Sequence, residues 1–227
     1  MQNLTAKTPH PYYPQDLVLN HYIANTHSVL ETLSHVLIAF SAVVVLAAML
    51  GYQRRQSTLS GIANQLTFFW FILCGMLHTT FEGYFGIYHA TLAGDVSPVA
   101  QVWKEYALSD SRYLSSDPFV LIVERITSLV WGPLALFNAW SLYHGLPSRH
   151  IGQLVLSVGQ IYGCVLYYWT SIVAGSPECH PDPYYYYFYF WFFNIFWMIA
   201  PVLLARDSIR TLRRAMEQIN RLTEEKN

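Results

Sequence analysis

The feature that most limits how this chain can fold is a recurrence of long apolar runs. Five of them, at residues 28–50, 62–88, 118–143, 150–173 and 183–204, exceed the length of about 18 residues at which a helix can cross a bilayer. Lipid offers no partner to a backbone N–H or C=O, so each run has to be helical. Of the 227 residues, 53% are hydrophobic and only 12% are charged, against roughly a quarter charged in soluble domains. The fold expected is an all-α membrane protein, a bundle of five transmembrane helices. A net charge of −1 gives no argument for nucleic acid as a partner.

The ends of the runs are punctuated. Gly51 is read as closing the first, Asp117 and Pro118 as cap and first-turn proline of the third, and Gly145 with Pro147 as its stop. Gly175 and Pro177 end the fourth; Pro201, inside the fifth, is expected to kink it or free a carbonyl. Five crossings place the termini on opposite faces. Arg54, Arg55, Arg149, Arg206, Arg210, Arg213, Arg214, Arg221 and Lys226 then share one face, and only Lys7, Lys104 and Arg112 the other. The positive-inside rule puts the C-terminus in the cytosol.

The chain divides into a polar lumenal segment (1–27) without the pattern of a cleavable signal peptide, a five-helix domain (28–206) and a charged tail (207–227). In the tail Ile209, Leu212, Met216, Ile219 and Leu222 recur at helical spacing, as in an amphipathic helix on the cytosolic surface or a plain solubilising tail. The connection at 89–117 is too polar to span and carries Trp103, Lys104, Glu105, Tyr106, Asp110, Arg112 and Tyr113. Its length suits a lid or binding element as well as a surface loop. Cys74, Cys164 and Cys179 show no CxxC spacing and read as buried thiols.

Glu82 and Glu124 lie deep in the second and third runs. An ionisable group there costs about 3 kcal/mol or more unless it is paired, wetted or used. His78 and Glu82, four apart, share a helix face; Glu124 with Thr127 and Asn194 with Trp197, three apart, do the same. Converged, they would set two carboxyls, an imidazole, a hydroxyl, an amide and an indole in one interior. Two carboxyls in unlike surroundings can act as acid and base, which suits moving a double bond through a carbocation faced by Trp197. Competing readings are a structural ion pair, Glu82 with His78 or Glu124 with Arg125, and a metal held by His78, Glu82 and Glu124. Neighbours on a helix diverge by about 100°, against the Glu124–Arg125 pair. Metal sites in bundles show more ligands, so no metal is assigned. Thr127 and Asn194 by themselves read as interhelical hydrogen-bonding groups, and the aromatic run 184–196 as an interfacial belt or a pocket wall.

The chain resembles the emopamil-binding protein family, the sterol Δ8-Δ7 isomerases. The segments that carry the likeness are His10-Pro11-Tyr12, Cys74-Gly75 with His78 and Glu82-Gly83, Trp103 to Ala107, Asp110 to Tyr113, Glu124 with Ile126-Thr127, Trp131 to Leu134, Ser157 to Gly163, and Asn194 with Trp197. The resemblance implies a five-helix domain with an intramembrane ligand cavity in the endoplasmic reticulum membrane. It also implies a cofactor-free isomerase that protonates a sterol ring alkene and removes a proton from a neighbouring carbon. His78, Glu82, Glu124, Thr127, Asn194 and Trp197 match the family's catalytic positions; Tyr106, Asp110, Arg112, Tyr113, Arg125 and Trp191 are expected to support or bind substrate. Cationic amphiphilic drugs are expected ligands because a protonated amine imitates the cation, and a homodimer is an open assembly. Cys164 and Arg125 depart from the family pattern. The first edges the polar interior and the second adds a cation beside Glu124, so another terpenoid, an epoxide or meroterpenoid, stays open as substrate. Ligand binding without turnover is a third reading.

Overall fold

The computed structural model describes residues 9–226, so Lys7, counted above for topology, lies outside the described residues. Five helices are long and apolar enough to cross a membrane: α1 (Val29–Arg54), α2 (Ile62–Tyr88), α5 (Pro118–His144), α6 (Ser148–Ala174) and α7 (Tyr184–Glu224). Two short helices, α3 (Pro98–Tyr106) and α4 (Arg112–Ser115), lie in the connection between α2 and α5. The described residues contain no strand.

Local chemistry sets most of the ends. Ser28 caps α1 by accepting from Glu31 N at 3.3 Å while the Glu31 carboxylate accepts from Ser28 N at 2.8 Å, a capping box. Asp117 accepts from Val120 N at 3.0 Å with Pro118 in the first turn of α5. Gly145 and Gly175 follow α5 and α6 with φ of 69° and 82°, the left-handed turn that glycine adopts without strain. One expectation is corrected. Gly51 does not stop α1, which runs on to Arg54; a glycine costs a helix about 1 kcal/mol, less than stranding backbone groups at a membrane surface. Past Pro201 and through the tail, α7 stays helical. It continues to Glu224, and Arg213 and Glu217 pair at 3.2 Å along its exposed face.

The bundle is drawn together by small residues, as helices in lipid are. A Cβ on Gly132 of α5 would sit 2.6 Å from Thr79 Cγ2 and 3.2 Å from His78 Cβ of α2. One on Gly75 would overlap Leu136, and one on Gly159 of α6 would come within 2.7 Å of the Trp131 ring. By contrast α1 buries only Thr32 and Ala47 and leaves Leu30, Ile38 and Met49 exposed, as on a lipid-facing helix at the periphery.

Two apolar cores result. One, at the end of the bundle that carries the 89–117 connection, gathers Phe85, Trp103, Tyr113, Val120, Tyr167 and Phe190; the other, toward the opposite end, gathers Phe71, Cys74, Ala135, Ala139 and Leu156. On α2, α5, α6 and α7 the chain between these cores carries His78 and Glu82, Glu124 and Thr127, Gln160, and Asn194 and Trp197. A polar layer is thus enclosed by apolar packing above and below.

The 89–117 connection is not a surface loop. It is folded and buried, with Trp103 and Lys104 at 2% and 0% exposed, because the N-terminal segment supplies its partners. Lys104 Nζ donates to Ile23 O at 2.8 Å, Tyr12 Oη to Lys104 O at 3.2 Å and Ser111 Oγ to Tyr13 O at 2.5 Å. Gln101 Oε1 accepts from Thr26 N and His27 N, both at 2.8 Å. Together they form a cap over one end of the bundle.

Candidate active site

Two membrane helices change geometry at the polar layer, and a third does so on the cap side of it. Leu77–Glu82 in α2, Thr127–Trp131 in α5 and Tyr184–Phe192 in α7 are π-helical, a rare conformation concentrated at functional sites. Side chains in and beside these segments add hydrogen bonds to helix carbonyls. Thr79 Oγ1 donates to Gly75 O at 2.6 Å, Thr80 Oγ1 to Met76 O at 2.7 Å and Thr127 Oγ1 to Val123 O at 2.8 Å. Asn194 Nδ2 donates to Phe190 O at 2.7 Å.

On α2, His78 Nδ1 lies 2.7 Å from Glu82 Oε2, with the His78 side chain 2% and the Glu82 side chain 13% exposed. Glu124 on α5, 9% exposed, accepts from the Tyr113 phenol at 2.9 Å. The π segments of α2 and α5 pack on each other. From α7, Trp197 brings its ring centre within 6.3 Å of the His78 ring and 5.6 Å of Trp70. Its indole N–H and that of Trp70 are buried with no acceptor among the described residues. Asn194 donates to Tyr106 Oη at 2.9 Å.

The cap reaches this layer through aromatic rings. Tyr113 sits against Phe85, Trp103 and Tyr106 at ring-centre distances of 5.3, 4.8 and 5.4 Å. Burial, then the charge of Glu124, hold the Tyr113 phenol protonated well above its usual range, so it stays a donor. Burial likewise raises Tyr106. Asp110, 0% exposed, is chelated by Arg112: Nη2 lies 2.7 Å from Oδ2 and Nε 3.0 Å from each carboxylate oxygen. The Arg112 guanidinium also reaches Thr170 Oγ1 at 3.0 Å and covers the Tyr167 ring at 5.0 Å. This pair braces the cap against α6, one layer outside the carboxyls.

Of the residues singled out in the sequence, His78, Glu82, Glu124, Asn194, Trp197, Tyr106 and Tyr113 line or bond within the layer. Thr127 spends its hydroxyl on the helix backbone. Trp191 stacks on Tyr168 at 4.4 Å. Arg125 points away: it is exposed, donates to Gly86 O at 3.0 Å and lies 3.5 Å from His89 Nε2. It forms no ion pair with Glu124, as the angle between helical neighbours requires. Cys164 sets Sγ 3.5 Å from Asn194 O, at the layer's edge. Sequence reading gave no role to Gln160, whose amide meets His78; a lone amide in an apolar run was the available signal. Hollows of about 460 Å³ beside Lys104 and about 430 Å³ beside Cys179 open near the cap, and neither is lined by Glu82 or Glu124. Among the described residues no group of three or more His, Cys, Asp or Glu side chains could hold a metal ion.

Residues 98–208 match the family EXPERA (EXPanded EBP superfamily). Over 212 residues, 93% of this chain and 92% of the other, the chain is 36% identical to the 3-beta-hydroxysteroid-Delta(8),Delta(7)-isomerase of Rattus norvegicus. It is 32% identical over 197 residues, 86% of each chain, to the probable 3-beta-hydroxysteroid-Delta(8),Delta(7)-isomerase of Arabidopsis thaliana. It is 34% identical over 144 residues, 63% of this chain and 67% of the other, to the protoglabretal synthase of Citrus sinensis.

Proposed function

The chain belongs to the EXPERA superfamily, with sterol isomerases among its relatives, and on that premise we propose that it is a membrane isomerase shifting a sterol ring double bond from Δ8 to Δ7. The observation that carries this reading is the pairing of two deep carboxyls with different partners, Glu82 with imidazole at 2.7 Å and Glu124 with phenol at 2.9 Å. A phenolic donor favours the ionised form of the carboxyl it bonds, so Glu124 is the base. Glu82, backed by His78, is the acid.

Glu82 gives a proton to C9 of the sterol, the Δ8 π electrons forming the new C–H bond and leaving a cation at C8. Glu124 takes a proton from C7, whose C–H electrons close the C7–C8 double bond. The indole of Trp197 offers a π face to the cation and cannot attack it. Asn194, held to Tyr106 and to the backbone of α7, fixes that wall. Residues 28–206 carry the reaction and 207–227 do not. The site lies in the endoplasmic reticulum membrane, the C-terminus faces the cytosol, and cationic amphiphilic drugs occupy the place of the cation. Protein incubated with a Δ8 sterol in heavy water should give a Δ7 sterol with one deuterium at C9 by mass spectrometry. Bound but unchanged sterol, with no deuterium, would leave a binding protein instead.

The likeness to a protoglabretal synthase supports a second reading, in which the same acid and base rearrange another terpenoid. Failure of this chain to rescue yeast lacking Δ8-Δ7 isomerase, with turnover of a plant triterpenoid, would favour it.

A further inference from the structure

Arg125 of α5 is exposed, and the reaction above does not use it. Ile122, Ile126 and Leu129 share its helix face at three- and four-residue spacing, and all three are exposed. Ile87 and Tyr88, which lie between the two residues that Arg125 touches on α2, are exposed as well. On a membrane-spanning helix such a face meets acyl chains. A guanidinium there is costly without a counter-charge, and Arg125 makes no ion pair among the described residues. Its direction, however, is held. Nε donates to Gly86 O at 3.0 Å, Nη2 lies 3.5 Å from His89 Nε2, and the stem packs so closely on α2 that a Cβ on Gly86 would come within 3.3 Å of Arg125 Cγ. Arg125 stands seven residues past Pro118, where α5 begins, a depth of about 10 Å at 1.5 Å per residue. Gly86 lies in the last turn of α2 and His89 just beyond its end. The side chain therefore runs toward the cap and brings its charged head to the level where the helices leave the bilayer.

The anion found at that level of a membrane is the phosphate of a lipid headgroup, and the guanidinium fork fits phosphate oxygens in pairs. Nη1 has no partner among the described residues, so the fork has donors to give. The other described cations of the cap are taken: Arg112 is bound to Asp110, and Lys104 is fully buried against Ile23 O. Burial, then the charge of Arg125, hold the His89 imidazole below its usual pKa, so the ring stays neutral and the site carries one positive charge. We propose that Arg125 seats the phosphate of a phospholipid on the outer face of α2 and α5 at the cap end, with an acyl chain along Ile122, Ile126 and Leu129. A choline headgroup brings its own cation to the same phosphate, so a net-anionic lipid is held more tightly. This site stands apart from the isomerase reading, since Arg125 and Glu124 point to different faces of α5.

The test is a lipid titration. Full-length protein in a neutral detergent is titrated with phosphatidylglycerol and followed by native mass spectrometry. Wild type should hold one lipid that Arg125→Met, which keeps an unbranched stem against Gly86, binds roughly tenfold more weakly. Arg125→Lys, which keeps the charge without the fork, should fall between the two. Arg213→Met, which removes a tail arginine, should leave that lipid in place. Phosphatidylcholine should bind the same site more weakly, and inorganic phosphate at matched concentration should not displace phosphatidylglycerol. Equal lipid retention by wild type and either Arg125 variant overturns the proposal, and so the lysine variant decides the case if the methionine variant does not fold. Displacement by inorganic phosphate also overturns it, because the site would then belong to free phosphate instead of a lipid.

Discussion

The Tyr113 phenol donates 2.9 Å to Glu124 Oε1, joining a residue of the cap to a carboxyl inside a membrane helix. The folded connection thereby becomes part of the candidate site.

Tyr113→Phe removes that donor and keeps the ring in its aromatic setting. A hydrogen bond to a charged group contributes about 1.5–3 kcal/mol, so kcat/KM on a Δ8 sterol should fall roughly ten- to a hundredfold. Gas chromatography of the product sterol measures it. An unchanged rate would remove Tyr113 from the mechanism.

Gly132→Ala would put a methyl 2.6 Å from Thr79 Cγ2 and 3.1 Å from Thr79 N, at the contact between the π segments of α2 and α5. Overpacking of this kind costs about 1–3 kcal/mol. The unfolding temperature in detergent should drop by several degrees, and turnover should fall because His78 and Glu82 lie on the displaced segment. Gly163→Ala, whose methyl would meet nothing within 4 Å, is the control and should leave both unchanged.

Asp110→Asn leaves the half-buried Arg112 with Glu178 at 3.6 Å as its remaining carboxylate. Breaking a buried pair costs about 3–5 kcal/mol, and the remaining partner favours the lower end. Arg112→Lys should not pass as conservative, since lysine cannot make the forked contact. Both variants should lower thermal stability; retained stability in either would show that the pair does not hold the cap.

Cys179 lies outside the membrane helices, and burial, followed by the charge of Asp110, pushes its thiol up to about 12. The folded state therefore holds its proton more tightly than the unfolded chain. Stability from this group is complete below the unfolded thiol value of about 8.5 and is lost as pH rises toward 12. Iodoacetamide at pH 8 should spare Cys179 in folded protein and label it after denaturation, read by peptide mass spectrometry. Rapid labelling of the folded state would contradict the burial.

The five helices and the deep carboxyls were legible in the sequence because lipid makes hydropathy and helix length decisive. Four-residue spacing also brought out the His78–Glu82 pair. The π segments were not legible, since widening a turn alters neither length nor apolarity. Nor was the fold of the cap: Lys104 and Ser111 look like surface residues until the carbonyls of Ile23 and Tyr13 arrive from far along the chain. Gln160 was invisible for a related reason, because the imidazole it meets comes from another helix. Arg125 misled through proximity along the chain, a poor guide to direction on a helix.

The π segments carry a further consequence. A wide turn acts on a helix as one inserted residue, rotating everything beyond it by about 100° relative to what came before. In α2 and α5 the face turned inward therefore changes hands at the polar layer, one register serving the core toward the cap and another the core at the far end. Deleting a single residue from either of these two turns would restore a regular helix with its hydropathy intact. It would also swing one whole half of that helix to present the wrong side chains to its neighbours.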